Sequence, residues 1–252
     1  MEDTELLRYS RQIMLPEMDI AGQEILRAAT VLIVGIGGLG SPAALYLAAA
    51  GIGRLILCDD DLVDTSNLQR QIAHTTGTIG RNKAESAQAH IAELNPHIRI
   101  RVIDHRLDAQ QMAETLQEVD LVLDCTDNFD ARYIINDACW QTRTPLISGA
   151  AIRWEGQISV FDPNADDSPC YRCLYPSGDS EALNCAENGV IAPLVGIIGT
   201  CQALEAIKLL VGVGEGLVGY VLYLDSKYME WRKLKLTQRA GCPVCGDSNH
   251  SD

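Results

Sequence analysis

Two Cys-x-x-Cys pairs constrain this chain more than any other feature: Cys170-Tyr-Arg-Cys173 and Cys242-Pro-Val-Cys245. The 68 residues between Cys173 and Cys242 are too many for a compact finger, so a folded unit must bring the pairs together. Each turn offers two thiolates on one short knuckle, and Zn²⁺ takes four such ligands in a tetrahedron. Four sulfurs leave no open coordination position, so the metal would hold structure rather than perform chemistry. Two redox dithiols or chance turns are the competing reading. The paired spacing, with Pro243 and Gly246 shaping the second knuckle, favours structural zinc.

A chain of 252 residues can bury a substantial core, as one large α/β domain or two small ones. The net charge of −14 argues against a track for nucleic-acid phosphates, so no nucleic-acid partner is expected. Nine cysteines is an odd number for a disulfide framework. With one set of four assigned to metal, Cys58, Cys125, Cys139, Cys185 and Cys201 remain, and most sit in apolar settings. Reduced, packed thiols and a reducing cytoplasm follow. The acidic start, Met1 to Glu5, lacks the apolar core of a signal peptide. The longest apolar stretch, 191–213, contains Gln202, Glu205 and Lys208. Their spacing places the polar groups on one face, as in a buried amphipathic helix rather than a membrane span.

Strand and helix patterns alternate along the chain. An N-terminal helical arm (3–29, broken near Pro16) precedes an unbroken apolar run at 30–35, as expected for a parallel strand covered on both faces. Strands are predicted at 54–58, 97–103, 120–124, 145–148 and 157–161, with helices at 38–51, 81–94, 109–118 and 129–141. Residues 162–190, rich in Pro, Asn, Asp, Ser and Gly, predict a long mobile crossover loop. A helix at 193–210 and strands near 218–224 and 229–236 complete the chain. The expected fold is α/β: a Rossmann-like, doubly wound, mainly parallel sheet with a C-terminal antiparallel portion and a Cys₄ zinc knuckle. It is read as a single unit, with arm 1–29, nucleotide-binding core 30–161, crossover loop, and C-terminal part 191–252.

Gly35-Ile-Gly37-Gly38-Leu-Gly40 follows the first strand and opens the first helix of the core, the context a phosphate-binding loop requires. Gly35 permits the tight turn, Gly37 lets the backbone approach a phosphate, and Gly40 lets helix pack on strand, with Gly38 counted among the cofactor-binding glycines of the loop. Asp59, at the end of the second strand, stands where a carboxylate accepts ribose hydroxyls. A dehydrogenase would show that much, and an NAD-dependent oxidoreductase is the second reading. The residues that follow argue otherwise. Asp60, Asp61, Asn67, Arg70, Lys83, Asp127 and Asn128 surround the same loop in sequence order. Two cations and a carboxylate near a phosphate loop suit a triphosphate with Mg²⁺. Solvated surface charge is the plain alternative for Arg70 and Lys83. No catalytic His arrangement appears near the strand ends; of the histidines only His74 lies close to these motifs.

Together, Arg8-Tyr-Ser-Arg11-Gln12, the glycine loop, Asn67-Leu-Gln-Arg70-Gln71, Asp124-Cys-Thr-Asp127-Asn128 and the paired Cys-x-x-Cys resemble the ThiF/MoeB/HesA family of adenylating enzymes, relatives of ubiquitin-activating enzymes. The resemblance covers nearly the whole chain and is most similar to the ThiF branch, which serves thiazole (thiamine) synthesis. A MoeB-type role toward molybdopterin synthase is the alternative. It implies ATP-dependent adenylation of the C-terminal Gly-Gly carboxylate of a small ubiquitin-like sulfur carrier protein, by a homodimer. It assigns Asp59 to the ribose, Arg70 and Lys83 to phosphates, and Asp127 to Mg²⁺, with Arg11 reaching into the neighbouring subunit's site. Cys185, within Asn184-Cys185, matches a family cysteine that links covalently to the carrier tail; Glu181 and Glu187 nearby would raise its thiol pKa and weigh against that role. A non-catalytic, zinc-stabilised module that captures the carrier is a third reading, disfavoured because a pure binder needs no phosphate clamp.

Overall fold

The computed structural model describes residues 1–176 and 189–246. Its helices and strands form one eight-stranded sheet with helices on both faces. Helices α1 (Asp3–Ile13) and α2 (Asp19–Ala28) precede β1 (Thr30–Val34), α3 (Gly40–Ala50), β2 (Arg54–Cys58), α4 (Lys83–Leu94) and β3 (Arg99–Ile103). Then come α5 (Ala109–Leu116), β4 (Leu121–Asp124), α6 (Phe129–Thr142), β5 (Leu146–Ile152) and β6 (Glu155–Phe161). The remainder is α7 (Tyr171–Leu174), α8 (Ala192–Val211), β7 (Tyr220–Asp225) and β8 (Glu230–Lys235).

Strand order is β3-β2-β1-β4-β5-β6-β7-β8. The first five in this order are parallel, and β6, β7 and β8 add on antiparallel, as the sequence predicts. Alternation along the central strands divides the core in two. Val31, Ile33, Leu55, Leu57, Leu121 and Leu123 pack beneath α3, α4 and α8. Leu32, Val34, Ile56, Cys58 and Val122 pack beneath α5 and α6. Near-continuous apolar runs are what a parallel strand covered on both faces demands. The chain reverses its winding between β1 and β4, and the carboxyl ends of these neighbours open a crevice, the place where ligands of such sheets bind.

The opening helices tie the arm to the core. Tyr9 is buried, and its hydroxyl accepts a 2.8 Å hydrogen bond from Asn95. Gln12 donates to the carbonyl of Ala50 at 3.0 Å, and Arg8 to that of Leu94 at 3.1 Å. These contacts fix α1 at the C-terminal end of α3, away from the glycine loop.

Some sequence expectations shift. The hairpin β5–β6 is longer than predicted, because Gly149, Ala150 and Ala151 continue β5 instead of ending it. Small residues are needed there: a Cβ on Gly149 would lie 2.4 Å from Oε1 of Gln202, which crosses from α8. The stretch 162–190 is not all irregular, since α7 forms within it. The polar face of α8 is largely buried, in keeping with the buried amphipathic helix expected there. Gln202 is fully buried and donates to the carbonyls of Asp124 and Ile147, while buried Glu205 accepts from Lys208 and from the Leu217 amide. Helix α8 is long and apolar enough to cross a membrane, but it packs on α3, β5 and β6 as the core helix.

Gly40 sits where α3 starts against β1. A Cβ there would stand 1.9 Å from the carbonyl oxygen of Gly35, so any side chain must push the helix off the strand. Gly40→Ala is expected to cost about 2–3 kcal/mol through this overlap. Thermal unfolding checks it: a Tm within one degree of wild type would show that the helix can move without loss.

Candidate active site

The crevice between β1 and β4 deepens into a cavity of about 430 Å³. Gly35, Gly37 and Gly38 form its floor at the start of α3, where free backbone N–H groups and the helix dipole favour an anion. Gly35 has φ +88°, a left-handed conformation that other residues rarely adopt, and a Cβ on it would lie 2.8 Å from the Cys125 carbonyl oxygen. Gly40 does not line the cavity; its part is the helix–strand approach described above.

His74 buttresses the loop from behind. Its Nε2 lies 3.0 Å from the carbonyl oxygen of Ile36 and its Nδ1 lies 3.0 Å from Oγ of Ser86. A neutral ring donating from Nε2 and accepting at Nδ1 satisfies both. Burial pulls its pKa below the ordinary histidine value. This histidine is part of the loop's support and does not face the cavity as an acid or base.

The run Asp59–Asp61 is divided among different partners. Asp59 accepts from the Ile36 amide at 2.6 Å and from the Asp61 amide at 2.9 Å, so its carboxylate is fixed beside the glycine loop. Burial raises its pKa, against the opposing pull of Lys83. Asp60 takes Nε of Arg106 at 2.9 Å. Asp61 takes Nζ of Lys83 at 2.7 Å. Lys83 is buried, not the solvated surface charge that a lysine at a helix start would ordinarily be. Arg70 is half-buried, donates to the Ser66 carbonyl at 3.2 Å and lines the cavity with Lys83.

Asp127 and Asn128 also line the cavity. The strand ends at Asp124, and Asp127 lies beyond it on an exposed turn. Asn128 caps α6, its Oδ1 accepting from the Ala131 amide at 2.9 Å. Asn67 lies in a short helical turn and does not line the cavity; its side chain donates to Ser66 Oγ at 3.0 Å. Arg11 is exposed, also outside the cavity, and its side chain makes no hydrogen bond or ion pair among the described residues. Cys185 lies outside the described residues, as do residues 177–188 of the predicted crossover loop.

Several lining residues carry no sequence signal for a site. Leu107, Met112, Ile134 and Ile135 give the cavity an apolar lining, and Arg106 comes from the segment after β3. They read as ordinary core positions of α5 and α6 or as a lone surface cation. The cavity thus combines apolar side chains from the segment before α5, α5 and α6 with the glycine loop, the cations Arg70 and Lys83, and the carboxylate Asp127.

The four cysteines Cys170, Cys173, Cys242 and Cys245 meet as the sequence predicts. All are buried, and their sulfurs lie within 4.8 Å of one another. Sγ of Cys170 and Cys242 are 3.5 Å apart, and those of Cys173 and Cys245 are 3.2 Å apart. The Arg239 amide points at Cys173 Sγ at 3.3 Å. A tetrahedral Zn–S distance of about 2.3 Å places sulfurs about 3.8 Å apart, so the cluster is compatible with zinc after small adjustment.

The ThiF family pattern matches residues 9–244, nearly the whole length. The chain belongs to the ThiF family. It is 49% identical to the molybdopterin-synthase adenylyltransferase of Escherichia coli strain K12 over 98% of each chain. It is 47% identical to the sulfur carrier protein ThiS adenylyltransferase of the same strain, over 99% of this chain and 98% of that protein. Among solved structures, E. coli MccB crystallised with MccA-N7isoASN superposes with a TM-score of 0.84 at 24% identity, covering 95% of this chain and 75% of that one, which bears on the fold alone. The ThiF-family chain is an adenylyltransferase.

The depressed pKa of His74 sets a pH dependence. An unfolded histidine binds its proton below about pH 6.5, whereas the folded one resists until lower pH. Its contribution to stability is thus full above that value and is lost as pH falls through the folded pKa. His74→Gln can keep both hydrogen bonds without titrating. The loss of stability between pH 7 and 5 should shrink in the variant, measured by denaturant unfolding. Parallel pH profiles would remove His74 as the cause.

Proposed function

We propose that this adenylyltransferase transfers AMP from ATP to the C-terminal Gly-Gly carboxylate of a small ubiquitin-like sulfur carrier protein. The observation that carries the reading is one cavity in which apolar side chains, a glycine loop at a helix start, two cations and a carboxylate converge. The carrier oxygen attacks the α-phosphorus, the bond to the β-phosphate bridging oxygen breaks, and pyrophosphate leaves. No covalent enzyme nucleophile is needed, so positioning and charge supply the acceleration.

In this reading Asp59, held by two backbone amides, accepts the ribose hydroxyls. Arg70 and Lys83 meet the phosphates; Lys83 arrives with Asp61 as its neutralising partner, so its position is preset before ATP enters. Asp127 has no hydrogen-bond partner among the described residues and is free to hold Mg²⁺, which would screen the leaving pyrophosphate. Arg11 acts from the neighbouring subunit of a homodimer. Its own cavity is beyond reach, since α1 is fastened to the far end of α3. The oxidoreductase reading loses ground because His74 is committed to the loop carbonyl and Ser86.

Identities of 49% and 47% to the molybdopterin-synthase and ThiS enzymes do not separate the thiazole and molybdopterin pathways. The shared carrier chemistry is what we propose, with a thiazole carrier as the first to try. ATP–pyrophosphate exchange with ThiS-like and MoaD-like carriers tests it. Exchange should require a carrier ending in Gly-Gly, and Asp127→Ala should abolish it in folded protein. Exchange without any carrier, or near wild-type exchange by the variant, would overturn the assignment. Mixing inactive Arg11→Ala with inactive Asp127→Ala chains should restore part of the activity through hybrid dimers. No recovery after verified subunit exchange would place Arg11 elsewhere.

The cysteine cluster is proposed to hold structural zinc. Its donor set is all sulfur, closed and buried, which suits zinc and leaves no place for a reacting water. Cys242→Ser should lower metal content and Tm together. A zinc-free wild-type protein that keeps its Tm would refute the role.

A further inference from the structure

Behind Asp127 lies a buried cation that does not line the cavity. Arg132, on α6, is only 4% exposed, yet its guanidinium reaches several separate elements. Nη2 donates to the carbonyl of Thr126 at 2.5 Å and to that of Gly149, on β5, at 3.3 Å. Nη1 donates to the Tyr171 hydroxyl at 3.1 Å. Nε stands 3.8 Å from Oδ2 of Asp124 and has no hydrogen bond. Burial pulls the Arg132 pKa down, but the charge of Asp124 and the Tyr171 oxygen hold it above the ordinary value. It remains a cation inside the protein.

Asp124 completes the grip. Its Oδ1 accepts from the Thr126 amide at 3.0 Å and the Thr126 hydroxyl at 2.7 Å, while Oδ2 accepts from Ser148 Oγ at 2.7 Å. Thr126 is thus held at its amide, hydroxyl and carbonyl. The next residue is Asp127. A buried ion pair is seldom a net gain in stability, because both charges are desolvated. Its retention here coincides with the one turn whose placement the proposed chemistry depends on. The other end of the network is equally specific. Tyr171 directly follows Cys170 of the four-cysteine cluster, and its amide donates to Asn136 Oδ1 on α6 at 2.7 Å.

We infer that Arg132 is a positioning residue for adenylation: it sets the Thr126–Asp127 turn and connects that turn to the four-cysteine cluster through Tyr171. The inference rests on the reading of Asp127 as the metal-holding carboxylate. Lysine at 132 keeps the charge but cannot reach the Thr126, Gly149 and Tyr171 oxygens at once, and phenylalanine at 171 removes only the hydroxyl contact.

The test compares Arg132→Lys and Tyr171→Phe with wild type in the full chain, well below the Tm of each. A displacement of the order of 1 Å costs up to about a hundredfold in rate. Arg132→Lys should therefore lower kcat for pyrophosphate exchange by about tenfold or more, raise the Mg²⁺ concentration for half-maximal rate, and leave KM for ATP little changed. Tyr171→Phe should move the same quantities in the same direction by less. Amide hydrogen exchange of peptides covering 124–128 should accelerate in both variants, a readout that needs no carrier and no turnover. If wild type itself shows no carrier-dependent exchange, the proposed function fails, and amide exchange still decides the positioning role. Unchanged amide exchange, or a rate loss that only follows the unfolded fraction with an unchanged Mg²⁺ requirement, would overturn the inference. Loss of folding in Arg132→Lys leaves the Tyr171→Phe measurement to decide it by the same criteria.

Discussion

The close approach of α3 to the end of β1 is the contact on which the rest of the site depends. Two glycines make it possible, because a Cβ on Gly40 would stand 1.9 Å from the Gly35 carbonyl oxygen and one on Gly35 would press on Cys125. With the helix start seated this low, Gly35, Gly37 and Gly38 line the crevice directly. The same seating lets the Ile36 amide reach Asp59 and the Ile36 carbonyl reach His74. Strand β2, the segment before α4 and the loop are thereby joined through one residue. Moving α3 outward by one side-chain radius would disturb all of them.

Charge around the cavity is arranged in separate pairs rather than pooled. Asp60 answers Arg106, Asp61 answers Lys83, and Asp59 is held by neutral amides. Such pairing keeps carboxylates from repelling the anionic ligand of a chain that carries −14 overall. Asp127 differs in having no hydrogen bond or ion pair of its own among the described residues, only the longer-range pull of Arg106. Its turn is instead fixed from behind, where Gln202 fastens Asp124 and Ile147 while Arg132 fastens Thr126. An unpartnered carboxylate on a rigid mount can accept a cation without first giving up another interaction.

Much of the fold was legible because strong periodicity survives tertiary context. The apolar runs of β1, β2 and β4 admit few other readings, and the glycine loop lies between a strand and a helix as its spacing requires. The paired cysteines were legible for a chemical reason, since four thiols at that spacing have few structural uses. Less legible was the hairpin: Gly149-Ala-Ala reads as a break until the Gln202 side chain that lies against it is known. The polar residues of α8 read as one face of a buried amphipathic helix, but their period does not name their partners. They are buried because Gln202 and Glu205 find backbone partners on other elements.

The sequence by itself determined the fold class, the phosphate-type loop, the cysteine cluster and the family resemblance, because each depends on local spacing or on residue chemistry. Only the tertiary structure decided which of the candidate residues share the cavity. Arg70, Lys83, Asp59, Asp61 and Asp127 do; Asn67, Gly40 and Arg11 do not. It also supplied Arg106, Met112, Ile134 and Ile135, and the buried Arg132 behind them. No spacing rule could reveal these, since they come from elements far apart in the chain. They meet only where the sheet reverses its winding and the ends of β1 and β4 are left uncovered.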